Sequence, residues 1–185
     1  KALLLISAEE PLGRQKLSKL LQIGETSVRN LIRRLSEKGI VAVDLVGGCT
    51  LTELGRKLVE SFKGFARAIS KVDELIKGEM KLDVYSYAAV FSVDVTSCIN
   101  VLKLRDAAIR FGASSALVIR VEGGKAKLPP GDVGEDMYPD LRTLRAALGM
   151  KDGESALVAF SGTPELAERA VLLTALEACI ACETH

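Results

Sequence analysis

Tryptophan is absent from this 185-residue chain, and aromatic residues make up only 4% of it, five Phe and three Tyr. At 48% hydrophobic content the core must therefore be aliphatic. The one histidine stands at the last position, and there is neither a G-x-S-x-G nor a glycine-rich phosphate loop. With no acid-base or nucleophilic constellation in view, neither catalysis nor a cofactor is expected. The longest apolar runs fall far short of the roughly 20 residues that span a bilayer, so the expectation is a soluble, cytoplasmic protein without membrane contact. Four cysteines, Cys49, Cys98, Cys179 and Cys182, are too few and too scattered for a disulfide framework in a chain with enough core of its own, and reduced thiols fit the cytosol. Cys179 and Cys182 form a C-x-x-C followed by His185, but two thiols at i, i+3 on an apolar helix read as small buried hydrophobes, and no metal site is assigned to them. Net charge is also scarce, +1 overall, until the chain is divided at residue 60: the first part carries +3 and the remainder −2.

That positive excess coincides with the most organised stretch, Gly24 to Gly39. At the 3.6-residue period Val28, Leu31, Ile32 and Leu35 fall on one face, and Thr26, Arg29, Asn30 and Arg33 fall on the other. Glu25 suits the positive end of the helix dipole, and Gly39 supplies the stop after Lys38. A second amphipathic pattern precedes it, Arg14 to Leu21, with Leu17, Leu20 and Leu21 inward and Lys16 and Lys19 outward, separated by a short glycine-containing turn. After Gly39, residues 40–45 and 49–51 flank Val46-Gly47-Gly48 as a two-stranded hairpin. Helix, turn, helix, hairpin is the order of a winged helix, with a first helix expected over Lys1 to Ser7.

The residues that follow, Leu51-Thr52-Glu53-Leu54-Gly55-Arg56, complete a pattern that resembles archaeal and bacterial winged-helix transcriptional regulators, with a C-terminal domain of unknown function. The resemblance covers the first third of the chain. It implies DNA binding through the helix beginning near Thr26, with Thr26, Ser27, Arg29, Asn30 and Arg33 toward the major groove. Lys16, Lys19 and Arg34 are placed to touch phosphates. The wing tip carries no Lys or Arg, a departure from wings that grip the minor groove.

From Thr52 to Lys77 the pattern reads as one long helix, and Leu58, Phe62, Phe65, Ile69, Val72 and Ile76 step along it as an a/d seam. About 25 residues would run close to 38 Å, longer than a small domain needs, so the far half of the seam must be covered either by the second domain of the same chain or by a second copy, and a homodimer is the expectation. Beyond Leu82 the texture alternates: strand 84–93, helix 99–111, strands 115–121 and 125–128, helix 140–148, strand 155–160 and a last helix from Thr163 to about Cys182. That order, βαββαβ plus a helix, most simply makes a ferredoxin-like α/β sandwich.

The expected architecture is thus α+β: a winged helix over 1–60, a linking or dimerisation helix over 52–77, and a ferredoxin-like sensor or dimerisation domain over 82–185. In the last, Asp132, Glu135, Asp136 and Tyr138 are expected to share an edge with Ser161, Gly162 and Thr163, where carboxylates and a helix N-terminus would hold a small-molecule effector bearing both charges. Asp94 to Cys98 would lie at the other edge. The expected function is a homodimeric, sequence-specific regulator bound to double-stranded DNA. An enzyme of nucleotide or cofactor metabolism with an appended winged helix, and a protein-interaction adaptor, are the competing readings.

Overall fold

The computed structural model describes residues 1–44, 48–131 and 133–183, and shows a mixed α and β chain in two units, Lys1–Ser61 and Phe62–His185. Among the described residues no helix is long and apolar enough to cross a membrane.

The N-terminal unit consists of α1 (Ala2–Ala8), α2 (Arg14–Leu21), α3 (Glu25–Glu37), the antiparallel strands β1 (Val41–Asp44) and β2 (Gly48–Leu51), and the start of α4 (Glu53–Phe65). Ile6, Leu17, Val28, Ile32, Val41, Leu51 and Val59 form its aliphatic core, one or two residues from each element. Leu12 bridges Cys49 in β2, so the connection between α1 and α2 adds a third, one-residue rung beside the hairpin. The expected tip at Val46 and Gly47 lies outside the described residues.

The Thr-Glu-Leu-Gly stretch has a steric explanation. The Thr52 hydroxyl donates to the Gly39 carbonyl at 2.6 Å and accepts the Gly55 N–H at 3.1 Å, capping α4 while tying it to the end of α3. Gly55 then lies so close to the Ile40 carbonyl that an added Cβ would sit 2.2 Å from the oxygen. Arg56, next in sequence, pairs with Glu10 at 2.7 Å, and Glu10 also accepts the Leu51 N–H at 2.8 Å. That backbone bond, followed by Arg56, holds the Glu10 carboxyl below its usual range.

The C-terminal unit departs from expectation at its start. The chain leaves the helical state at Phe65, and residues Ala66–Lys71 form β3, paired with β4 (Tyr85–Phe91). The long helix over 52–77 is therefore corrected, and with it the seam. Phe62, Phe65 and Ile69 pack against one layer of the C-terminal core, Val72 and Ile76 are buried in the other, and Leu58 is left exposed. The physical cause lies in β4: without a neighbour its backbone donors and acceptors would form an open edge on an apolar strand, and residues 66–71 satisfy them.

Then follow α5 (Val101–Arg110), β5 (Ser115–Glu122), β6 (Lys125–Leu128), β7 (Val133–Gly134), α6 (Pro139–Ala147), β8 (Ser155–Ser161) and α7 (Pro164–Glu183), all but the unforeseen β7 close to the sequence-based boundaries. Asn100 caps α5 by accepting the Leu102 N–H at 2.7 Å, and Gly123-Gly124, both at positive φ, turn β5 into β6. All six strands join one antiparallel sheet in the order β3-β4-β8-β5-β6-β7.

This order corrects the ferredoxin-like arrangement. There the last strand of βαββαβ lies at an edge and both helices cover one face; here β8 sits between β4 and β5, and helices cover both faces. Leu157 and Ala159 of β8 point into the layer with α5 and α7, while Ala156, Val158 and Phe160 point into the layer with Leu141 and Leu144 of α6. Every residue of β8 is buried. Ser-Ala-Leu-Val-Ala-Phe-Ser has no polar alternation to leave one face wet, so it needs cover on both sides.

Gly55→Ala is expected to lower the stability of the N-terminal unit by about 1–3 kcal/mol through the forced displacement. Gly64→Ala, also in α4 but facing open space, should be neutral or stabilising by up to about 1 kcal/mol. Urea denaturation followed by circular dichroism separates the two, and equal effects would remove the close approach as the reason for Gly55.

Candidate nucleic-acid interface

The turn between α2 and α3 is built by Gln22 in the left-handed conformation, with the Ser18 hydroxyl donating to the Ile23 carbonyl at 2.6 Å. It delivers α3 with Val28 and Ile32 buried and Thr26, Ser27, Arg29, Asn30, Arg33 and Arg34 all exposed, as its periodicity requires. Two clefts flank this exposed row. One, about 360 Å³, lies between the first turn of α2 (Arg14 and Gln15), Glu25 and Arg29 of α3, and the hairpin at Val43, Asp44 and Gly48. The other, about 350 Å³, is walled by Arg14, Arg29, Arg33, Ser36 and the exposed Val43 of β1. Arg29 and Arg33 thus line the hairpin side of α3, whereas Ser27, Asn30 and Arg34 line neither cleft.

The cations differ in how they are held. Arg33 faces Glu37 across 3.9 Å with both side chains two-thirds exposed, a pairing of little energetic weight. Lys16 is paired with Glu9, so a phosphate would have to compete for it. Among the described residues no carboxylate forms an ion pair with Arg14, Arg29, Arg34 or Lys19. Arg14 was missed in the sequence because it stood at a helix boundary. The available signal was Gly13 before it, an extended N-cap that opens the first turn of α2.

The residues expected to bind an effector are not brought together. Ser161 pairs across the sheet with Tyr85, and Ser155, at the other end of β8, pairs with Phe91 and Arg120. Because β7 folds back along β6, with Gly134 opposite Lys127, residues 135–138 return toward the level of Ser155, a strand length away from Ser161–Thr163. The Asp94–Cys98 segment lies at that same Ser155 end, where the Ser155 hydroxyl accepts the Val95 N–H at 3.0 Å.

The individual groups are also occupied. Glu135 is buried and accepts from Arg145 at 2.6 Å, the Ala126 N–H at 2.9 Å and Arg142 at 3.2 Å. Asp136 pairs with Lys125 at 3.2 Å, Tyr138 packs against the core, Ser161 is buried, and exposed Thr163 caps α7 through a long bond from Leu166 N–H at 3.4 Å, beside exposed Gly162. Asp132 lies outside the described residues. Glu135 braces the C-terminal unit. A second brace, unforeseen in the sequence, joins Arg67 of β3 to Glu154 at 2.6 Å and to the Gly149 carbonyl at 2.8 Å. Among the described residues no group of three or more His, Cys, Asp or Glu is arranged to hold a metal ion, and His185 lies outside them.

Residues 83–178, more than half of the chain and all within the C-terminal unit, match the family described as a domain of unknown function (DUF4443), and the chain belongs to that family. Among solved structures it is similar to the hypothetical protein PH0730 from Pyrococcus horikoshii OT3, at 24% identity and a TM-score of 0.66, over 100% of this chain and 92% of that one. At that identity the likeness speaks of the fold alone. No curated protein matches the chain.

Arg145, and after it burial and the Ala126 N–H, set the Glu135 carboxyl, and the net effect lowers it to about 2. A carboxylate whose folded value is depressed stabilises above its ordinary range and loses that contribution as pH falls through the folded value. The C-terminal unit should therefore carry its full Glu135 contribution above about pH 4.5, lose it progressively below that, and have lost most of it as pH approaches about 2. Glu135→Gln should lower stability at neutral pH by about 1.5–3 kcal/mol, the worth of hydrogen bonds to a charged group. Melting curves against pH check this, and a variant as stable as the parent would return Glu135 to the pool of ligand groups.

Proposed function

We propose that this chain is a sequence-specific DNA-binding transcriptional regulator whose N-terminal unit acts as a winged helix. The observation that carries the reading is the row of exposed Arg29, Asn30 and Arg33 on α3, with Arg14 and the hairpin beside the two arginines and no ion-pair partner for Arg14 or Arg29 among the described residues. Arginine matches the guanine O6/N7 edge and asparagine the adenine N6/N7 edge, so α3 carries a reader for the major groove, with Thr26 at its entrance. Arg14, Lys19 and Arg34 are the phosphate contacts in this reading, and Lys16 joins them only by giving up Glu9.

The unit's charge of +3 is modest, and each phosphate neutralised adds to affinity, so a single copy would bind weakly. The reading therefore includes a homodimer on half-sites about 10 bp or a multiple apart. Its contact is not the 58–76 seam, which the C-terminal core absorbs from Phe62 onward. The C-terminal unit is assigned the sensing or pairing role, and the protein a cytoplasmic location.

Selection of duplexes from genomic fragments, followed by gel shift, tests the reading. Arg33→Ala or Asn30→Ala should cost about 1–3 kcal/mol on the selected site and relax preference at one base step, while Arg14→Ala should weaken all sequences alike and flatten the salt slope by about one. No enriched duplex, or enrichment untouched by Arg29→Ala with Arg33→Ala, would overturn it and turn the same surface to a protein partner.

A further inference from the structure

The C-x-x-C formed by Cys179 and Cys182 lies on a helix whose last turns meet a third cysteine from elsewhere in the sequence, Cys98. Cys98 closes the short 3-10 turn Val95–Ser97, a segment pinned by the Asp94 carboxylate on Thr96 N–H at 3.0 Å, by Cys98 N–H on the Val95 carbonyl at 3.1 Å, and by Val95 N–H on Ser155. This turn lies against the last turns of α7: Cys98 lines a cleft of about 230 Å³ together with Thr174, Ala178 and Ala181 of that helix. Cys182 follows Ala178 by four residues, hence on the same helix face. That placement puts the Cys98 thiol among the groups that act on the Cys182 thiol. Both are half-buried, whereas Cys49 and Cys179 are buried, and the Cys179 thiol is turned to the Glu183 carboxylate at 3.8 Å.

We infer that Cys98 and Cys182 are a peroxide-responsive thiol pair that closes into a disulfide, stapling the end of α7 to the 94–98 turn. The Cys98 sulfur, on the wall of the open cleft, attacks one oxygen of hydrogen peroxide. The O–O bond breaks, a sulfenic acid forms, and the thiol proton leaves with the second oxygen as water. The Cys182 sulfur then attacks the Cys98 sulfur, the S–O bond breaks, and a second water leaves with the Cys182 proton. Peroxide is reduced by two electrons and the two thiols are oxidised by two. Burial, and next the Cys98 thiol, push the Cys182 thiol up to about 12, so the first attack falls to Cys98 and the Cys182 thiol gives up its proton only in the step that closes the bridge. The movement needed to reach disulfide geometry falls on the final turn of α7, which ends at Glu183.

The test treats the full chain with hydrogen peroxide, blocks remaining thiols, and maps peptides by mass spectrometry. Expected are the loss of two hydrogen atoms, a peptide joining Cys98 to Cys182, and a melting temperature raised by several degrees. Cys179→Ser should leave all three intact, and Cys98→Ser or Cys182→Ser should abolish them. A second measurement reads proximity without oxidation: a short bifunctional thiol reagent should bridge the same two residues. A Cys179–Cys182 peptide overturns the inference, as do separate over-oxidation of Cys98 with no bridge by either reagent and a retained zinc ion that shields both thiols before peroxide is added.

Discussion

The C-terminal unit depends on the burial of β8 from both sides. Seven consecutive residues without exposed surface, Ser155 to Ser161, can only sit in the middle of a sheet with helices above and below. From that follow the flanking positions of β4 and β5, the separation of α6 from α5 and α7, and the two aliphatic layers that make an aromatic-poor core workable. The edges of the sheet are then tied by charge as well as by apolar contact: Arg67 to Glu154 beside the start of β8, and Arg142 and Arg145 to Glu135 beside β6. Buried carboxylates with such partners hold elements in place, and Glu135 is therefore a brace.

The N-terminal unit rests on a smaller contact with a comparable reach. Thr52 and Gly55 let α4 approach the Ile40 carbonyl, fixing α4 against the end of α3 and the start of β1, while Glu10 ties the α1–α2 connection to β2 and Arg56. The exposed face of α3 is thereby presented beside the hairpin instead of turning into the core. The cations on that face are set by sequence, but their usefulness as a row comes from this local framework.

Much of this was legible in the residues. The periodicity of 24–39, the glycine stops and the alternating texture after residue 82 place most elements within a residue or two. Two readings of the fold failed for physical reasons. Phe62, Phe65, Ile69, Val72 and Ile76 carry helical spacing, yet the same residues serve a helix end, an edge strand and a loop, because the open edge of β4 outweighed local propensity. The continuous apolar run of β8 contained the signal for cover on both faces, but the order of elements alone suggests a one-sided sandwich. The candidate interface was readable on α3 and less so at Arg14 and Val43, which enter only once α2 and β1 are folded against that helix.

The central claim is that α3 and its flanking clefts meet duplex DNA. Amide NMR of the full chain, titrated with mixed-sequence duplex at low ionic strength, tests it and needs no defined target site. The account predicts shifts gathered on the first turn of α2, on residues 25–37 and on β1 and β2, fading as salt is added. Shifts confined to residues 62–185, or none at all, would contradict it.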